Sequence, residues 1–140
     1  MAYILMIDDN PQTQKLFERV LRHRNQHDVG FASSSYEAVE KMVERRPDVV
    51  FQDLFIPGAD GFEFFKKIKT HPATSSIPIV IHTVVPLDQM TRLQLKRMKR
   101  DVQYQGFVHF PIGASELNRI ISDALKYGAV RTEKWIPPKA

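Results

Sequence analysis

Five short apolar segments alternate along the chain with longer segments in which apolar residues recur every three or four positions. The short segments are Tyr3–Ile7, Asp28–Ala32, Asp48–Gln52, Pro78–His82 and Gly106–His109. Each is too short for a stable helix and is rich in β-branched or aromatic residues, which predicts β-strands. Because Asp28 and Gly30 dilute the second segment, we expect that strand near an edge of the sheet.

The longer segments have the period of amphipathic helices. Pro11 suits a first helical turn, because proline lacks the N–H group that would be unpaired there. Ser34 followed by Glu37 resembles a capping box for the second helix, a long fourth helix is expected from Leu87 to about Tyr104, and Gly128 is expected to end the fifth. The side chains predicted to face inward are, in chain order, Leu16, Phe17, Val20 and Leu21; Ala38, Val39, Met42 and Val43; Phe62, Phe65 and Ile68; Leu95, Met98 and Val102; and Leu117, Ile120, Ile121, Ala124 and Leu125.

This order of elements predicts a fold. Five alternations of strand and helix imply parallel strands joined by right-handed crossovers, in a three-layered, doubly wound α/β domain. Ligands of such folds bind beside the carboxyl ends of the strands. The length of 140 residues suits one domain, which we expect over residues 1–128. Residues 129–140 continue no periodic pattern, so we expect a tail there and no output domain.

Composition narrows the class of protein. Apolar residues make up 43% and charged residues 26%, as in ordinary globular proteins, and no apolar run is long enough to cross a bilayer. The first residues carry no basic leader and no small-residue cleavage site, which argues against secretion. The chain has no cysteine, which excludes disulfides and thiolate metal sites. We therefore expect a cytoplasmic protein whose chemistry uses oxygen or nitrogen groups.

Polar residues follow three of the predicted strands. Asp8 and Asp9 follow the first, Asp53 the third and Thr83 the fourth, so all four should meet at one edge of the sheet. Three carboxylates repel one another, and a hard cation, proton uptake or a basic side chain relieves the repulsion. An oxygen-only cluster favours Mg²⁺ and leaves coordination positions for a phosphoryl oxygen, which Asp53 could attack at phosphorus. Alternatively, these aspartates merely cap helices.

Three segments carry motifs around these residues: Ile7–Asn10, Asp53–Glu63 and Ile77–Thr83. The chain resembles the receiver domain of bacterial response regulators from about Ala2 to Tyr127. The middle segment is the most specific, because it matches the pattern D-x-x-M-P-x-x-D-G-x-E of that family except for Ile56 in place of methionine.

The resemblance implies a flavodoxin-like domain of a two-component phosphorelay, in which Asp53 accepts a phosphoryl group from a sensor histidine kinase or a phosphotransfer protein. It implies that Thr83 contacts that group and that Phe107 is the aromatic switch residue of the fifth strand. It also implies an Mg²⁺ site formed by the side chains of Asp8, Asp9 and Asp53 and the backbone carbonyl of Phe55. Such a protein is not an enzyme. It signals through protein contacts of its fourth helix, fifth strand and fifth helix, and a homodimer is a further possibility.

The residue before Pro111 departs from the family pattern. The family has a lysine there, often followed by a cis bond, and its ammonium group contacts the phosphoryl group; this chain has Phe110. An aromatic ring neither neutralises carboxylates nor donates to phosphoryl oxygens. His109 is a candidate substitute, but side chains alternate along a strand, so His109 should point away if Phe110 faces the pocket.

Three other positions also depart from the family. Val84 replaces a small residue and should narrow access to the site, whereas Phe55 and Val85 cannot position water by hydrogen bonding. Slow hydrolysis of the acyl phosphate would follow. The departures leave two interpretations open: a receiver with long-lived phosphorylation, or a degenerate receiver that binds proteins without being phosphorylated.

The net charge of +4 has its excess in the C-terminal half, mainly on the predicted fourth helix. Its basic residues are Arg92, Lys96, Arg97, Lys99 and Arg100. They form either a solvated outer face or a docking surface for an acidic protein or a nucleic-acid backbone. No nucleic-acid-binding motif accompanies these residues, so we expect no nucleic-acid partner.

Two enzyme classes are excluded, because the chain lacks both the D-x-D motif of haloacid-dehalogenase-type phosphatases and the G-x-G-x-x-G motif of dinucleotide enzymes.

Overall fold

The computed structural model describes residues 2–24, 27–55, 61–84, 86–101 and 104–129. Within these residues, five strands alternate with five helices. The strands are β1 (Tyr3–Ile7), β2 (Asp28–Ala32), β3 (Val49–Asp53), β4 (Ile79–Thr83) and β5 (Gly106–His109). The helices are α1 (Pro11–Arg24), α2 (Ser35–Glu44), α3 (Gly61–Thr70), α4 (Gln89–Asp101) and α5 (Ala114–Ala129).

The five strands form one parallel sheet in the order β2-β1-β3-β4-β5. This confirms the predicted flavodoxin-like α/β fold, and β2 lies at an edge as expected. The strand order reverses between β1 and β3, and ligands of doubly wound sheets bind at such switch points. The carboxyl ends of β1 and β3 therefore mark the place where a site is expected.

The core fills both faces of the sheet. On one face, Met6, Phe51 and Val80 of the central strands pack with α1 and α5. On the other face, the apolar side chains of α2, α3 and α4 pack against the sheet. Because side chains alternate along a strand, the residues two positions after Met6, Phe51 and Val80 continue the α1/α5 face beyond its apolar layer. Those residues are Asp8, Asp53 and His82.

Several predicted helix faces are confirmed, and others are corrected. All five inward residues of α5 are buried or partly buried. Leu16 of α1 and Val43 of α2 are instead 47% and 40% exposed, because each lies on the flank of a stripe centred on fully buried neighbours. Phe64 of α3 is buried, although the predicted stripe omitted it. Three predicted core side chains, Phe62, Met98 and Val102, lie outside the described side chains.

Helix boundaries differ from the predicted ones mainly in α4, which begins two residues after Leu87 and ends at Asp101. Tyr104 lies beyond the helix and is buried. Its ring packs against Phe65 with centroids 5.8 Å apart, and its hydroxyl donates to the carbonyl of Leu95 at 3.3 Å. The capping box is present in part, since Ser34 Oγ accepts from the Glu37 N–H at 3.2 Å. Helix α5 runs one residue past Gly128.

Candidate functional site

Two carboxylates and an imidazole meet at the switch point of the sheet. Asp8 directly follows β1, Asp53 ends β3, and His82 is the next-to-last residue of β4. One ligand atom from each of these residues lies within 4.8 Å of the other two. Asp8 is 2% and His82 0% exposed, whereas Asp53 is half-buried. The structure therefore brings together two of the three predicted carboxylates, with a histidine beside them.

Asp8 is held through both of its carboxylate oxygens. Its Oδ2 lies 2.9 Å from Nε2 of His82, and its Oδ1 accepts from the backbone N–H of Asn10 at 2.8 Å. The Asn10 side chain in turn accepts from the N–H of Gln12 at 2.9 Å, in the first turn of α1. The turn from β1 to α1 thus fixes Asp8 from one side and His82 fixes it from the other.

The carboxyl group of Asp53 has a raised pKa. Burial raises its pKa from 3.8 to about 6, and the charges of Asp8 and Asp9 add to this effect. The electrostatic influence of His82 and the hydrogen bond from the Phe55 N–H, at 3.2 Å, act in the opposite direction and lower the pKa. No lysine or arginine is among the described groups that shift this pKa. The pocket therefore favours arrival of a cation.

The remaining predicted site residues lie around this cluster. Asp9 is exposed and outside the group of three converging ligand atoms, although its charge acts on Asp53. Thr83 ends β4 and is 1% exposed. Phe107 of β5 is half-buried and packs against the core on the face of α2, α3 and α4. Phe55 has a side chain that is 53% exposed.

Phe110, at the position of the family lysine, is part of the core. It is 6% exposed, and its ring centroid lies 5.2 Å from that of His82 and 6.3 Å from that of Phe17. His109 is exposed, so the predicted alternation of these two side chains is confirmed. The bond from Phe110 to Pro111 is cis, as the resemblance implied.

His82 belongs to the site, although the sequence predicted it only as part of an apolar strand. The pairing of β3 with β4 places His82 directly beside Asp53. Because His82 follows Val80 by two residues, it lies on the same face of the sheet as Asp53. A single histidine in an otherwise apolar strand, next to a predicted site residue, was the available signal.

The donor set is suited to a divalent cation. Carboxylate oxygens are the preferred ligands of Mg²⁺, and an imidazole nitrogen is a common ligand of transition metals. The pKa of Asp53 is raised mainly because burial penalises its charged form, and a bound cation relieves that penalty. Asp8 and Asp53 therefore fit the metal expected for this pocket.

Helix α4 presents both basic and apolar side chains. Arg92, Lys96 and Arg97 are exposed, as are Met90 and Leu93. The side chains of the other two basic residues, at positions 99 and 100, lie outside the described ones. Among the residues that the structure describes, no helix is both long and apolar enough to span a membrane.

Comparison with known proteins supports one family. The model of the response regulator receiver domain matches residues 4–122. The chain is 34% identical to protein PilH of Pseudomonas aeruginosa over 84 residues, which cover 59% of this chain and 68% of PilH. It is 32% identical to response regulator PleD of Caulobacter vibrioides over 84 residues, which cover 60% of this chain and only 18% of PleD. The chain thus spans a small part of some relatives.

Solved structures agree with this match. A protein described as a response regulator from Chloroflexus aurantiacus superposes with a TM-score of 0.76 at 25% identity, covering 89% of this chain and 98% of that one. The receiver domain of the sensor histidine kinase PA1611 from Pseudomonas aeruginosa, solved with a magnesium ion in its active-site cleft, gives a TM-score of 0.74 at 24% identity, with 89% and 98% covered. The chain belongs to the response regulator receiver domain family of two-component signalling.

Proposed function

We propose that this receiver accepts a phosphoryl group on Asp53 from a histidine kinase or a phosphotransfer protein. The observation that carries the proposal is the half-buried Asp53 carboxyl at the switch point of the sheet, next to the carboxylate of Asp8. With a pKa of about 6, Asp53 is mostly ionised at neutral pH, and a carboxylate can act as a nucleophile.

The transfer forms one bond and breaks one. An Asp53 oxygen attacks phosphorus, and the bond from phosphorus to the donor's imidazole nitrogen breaks, so that the imidazole leaves with the electron pair and takes up a proton. The proposed Mg²⁺ ligands are Asp8, Asp9, Asp53 and the Phe55 carbonyl, and a bound ion supplies positive charge that offsets the carboxylates and the phosphoryl oxygens. Thr83 is proposed to contact the phosphoryl group.

We further propose that the protein signals by binding other proteins and is not an enzyme. The exposed basic and apolar side chains of α4 support an acidic protein as the partner of the α4, β5 and α5 face, to which Phe107 would transmit the state of the site. The lack of cysteine supports a cytoplasmic location. A homodimer through the same face is the alternative assembly.

One observation favours a second function. Phe110 is buried in the core, where the family has a cationic side chain, so the phosphoryl group would lose one of its stabilising contacts. The second candidate is therefore a protein-binding module that works without phosphorylation of Asp53.

Incubation with acetyl phosphate and Mg²⁺, followed by intact-mass analysis, separates the two functions. We expect one added phosphoryl group on the native chain and none on Asp53→Asn. Asp88→Asn is the matched control, because Asp88 is exposed and lies directly before α4, and this variant should be phosphorylated like the native chain. An unmodified native chain, with a known receiver phosphorylated in parallel, would favour the second candidate.

A further inference from the structure

His82 is a histidine enclosed in the core directly beneath the acidic site. It is 0% exposed, and its ring lies between two aromatic neighbours, Phe110 at 5.2 Å and Phe51 at 6.3 Å between centroids. An imidazole in such surroundings is costly to bury unless it makes a hydrogen bond. Its contact with Asp8, at 2.9 Å, is therefore the feature that requires an explanation.

The two ring nitrogens of His82 have different surroundings. Nε2 faces Oδ2 of Asp8, whereas Nδ1 has no hydrogen-bond partner among the described residues. A carboxylate oxygen only accepts hydrogen bonds, so the nitrogen beside it has to be the donor. A proton on Nδ1 would form a buried N–H group without an acceptor, which is also costly. Both considerations place a proton on Nε2, which donates to Asp8.

This bond leaves Asp8 little freedom to rotate. One oxygen accepts from His82 and the other from the Asn10 N–H, so the plane of the carboxylate is fixed from two directions. Each oxygen keeps a further lone pair for a cation. Hydrogen-bond partners of this kind orient metal ligands and strengthen metal binding. His82 itself is fully enclosed, so we assign it no contact with a phosphoryl group.

We propose that His82 is a positioning residue of the acidic site, which holds Asp8 by its Nε2–H in the orientation that binds a divalent cation together with Asp53. This role rests on the proposed function, since it concerns the metal-dependent phosphorylation of Asp53. In this role the imidazole of His82 supports the acidic site, next to Phe110, which stands where the family has a lysine.

Three substitutions of His82 test the role of the Nε2–H donor. Glutamine carries an N–H donor at about the reach of Nε2, asparagine carries it at about the reach of Nδ1, and leucine has none. We expect His82→Leu and His82→Asn to bind Mg²⁺ about tenfold or more weakly than the native chain, as for other groups that orient metal ligands, and His82→Gln to recover most of the affinity. Saturating Mg²⁺ should restore the rate of phosphorylation by acetyl phosphate in all three.

The measurement is an Mg²⁺ titration followed by amide NMR shifts of residues 8–10, on variants whose folding is first verified by thermal unfolding. His109→Gln, the same exchange at an exposed histidine of β5, is the matched control and should bind Mg²⁺ like the native chain. Equal affinity in native, His82→Leu and His82→Gln protein would overturn the proposal, as would equal losses in the glutamine and leucine variants.

A second measurement uses the native chain alone, in case the variants fail to fold. Nitrogen-15 NMR of labelled histidine should show a slowly exchanging N–H at Nε2 of His82, and a proton at Nδ1 alone would refute the assignment. The outcomes separate this role from the proposed function. A native chain that binds Mg²⁺ with the expected ranking of variants but is never phosphorylated refutes only the function, whereas phosphorylation with no ranking refutes only the role of His82.

Discussion

Replacing Asp53 with asparagine should stabilise the metal-free protein at neutral and alkaline pH. Burial raises the pKa of this carboxyl to about 6, which means that the folded state holds its ionised form at a cost. Asparagine has nearly the same shape and no charge, so Asp53→Asn removes that cost and keeps the packing of β3.

The pKa shift sets the magnitude and the pH range of the effect. A rise from 3.8 to about 6 corresponds to at most about 3 kcal/mol, at about 1.4 kcal/mol for each pKa unit, and solvent screening at the half-buried carboxyl reduces the expected effect to about 1–2 kcal/mol. Above pH 6 the carboxylate is ionised in both the folded and the unfolded chain, and the folded state bears the full cost. Between pH 6 and 4 the folded state takes up the proton first, so the cost declines. Below pH 4 both states are protonated and the cost is gone.

The assay is urea unfolding of the native chain and of Asp53→Asn in EDTA, at pH values from 4 to 8. The free energy of unfolding of the variant should exceed that of the native chain by about 1–2 kcal/mol at pH 8, and the difference should fade on acidification. Asp88→Asn is the control with the opposite sign, because a hydrogen bond from the Thr91 N–H lowers the pKa of Asp88. A difference that does not depend on pH, or a less stable Asp53→Asn, would refute the reasoning. Added Mg²⁺ should reduce the advantage, since it stabilises the native carboxylate.

Two further predictions concern the surroundings of the phosphorylated site. Polar residues at the exposed Phe55 and at Val85 should shorten the lifetime of the phosphoryl group, because they can orient a water molecule; intact mass followed over time measures this, and an unchanged lifetime would contradict it. Phe110→Lys should lower the stability to urea, since Phe110 is buried, yet enlarge the NMR response of Phe107 to beryllofluoride. Phe110→Ala, which loses packing without gaining charge, should lack that larger response.

The fold could be predicted because its main features follow from local patterns of apolar and polar residues. The predicted bounds of β1, β2 and β5 match the structure to the residue, and the predicted bounds of β3 and β4 lie one residue too early in the chain. Element boundaries that depend on tertiary packing were harder to predict from the sequence. The predicted fourth helix extends to about Tyr104, but Tyr104 lies beyond the end of α4, and its ring packs against Phe65 of another helix.

The site was predictable as far as strand ends determine it. Asp8 and Asp53 meet because both stand at the carboxyl ends of neighbouring parallel strands. The part played by His82 depends on the register of β3 with β4 and on which face of the sheet each side chain takes, and the sequence specifies neither directly. Likewise, a phenylalanine in the place of a lysine indicates a lost charge, but only the packing shows that its ring lies against His82.

The loss of that lysine changes how the pocket balances its charge. With lysine, an ammonium group remains beside the carboxylates whether or not a metal ion is bound. With Phe110, no lysine or arginine is among the described groups that act on Asp53, and burial dominates its pKa. A cation that binds the Asp53 carboxylate must then displace its proton below about pH 6, so metal affinity and ionisation of the phosphoacceptor are coupled. Phosphorylation of this receiver should therefore depend more steeply on Mg²⁺ at pH 5.5 than at pH 8, and equal dependence at the two pH values would mean that a group other than the metal ion offsets the charge.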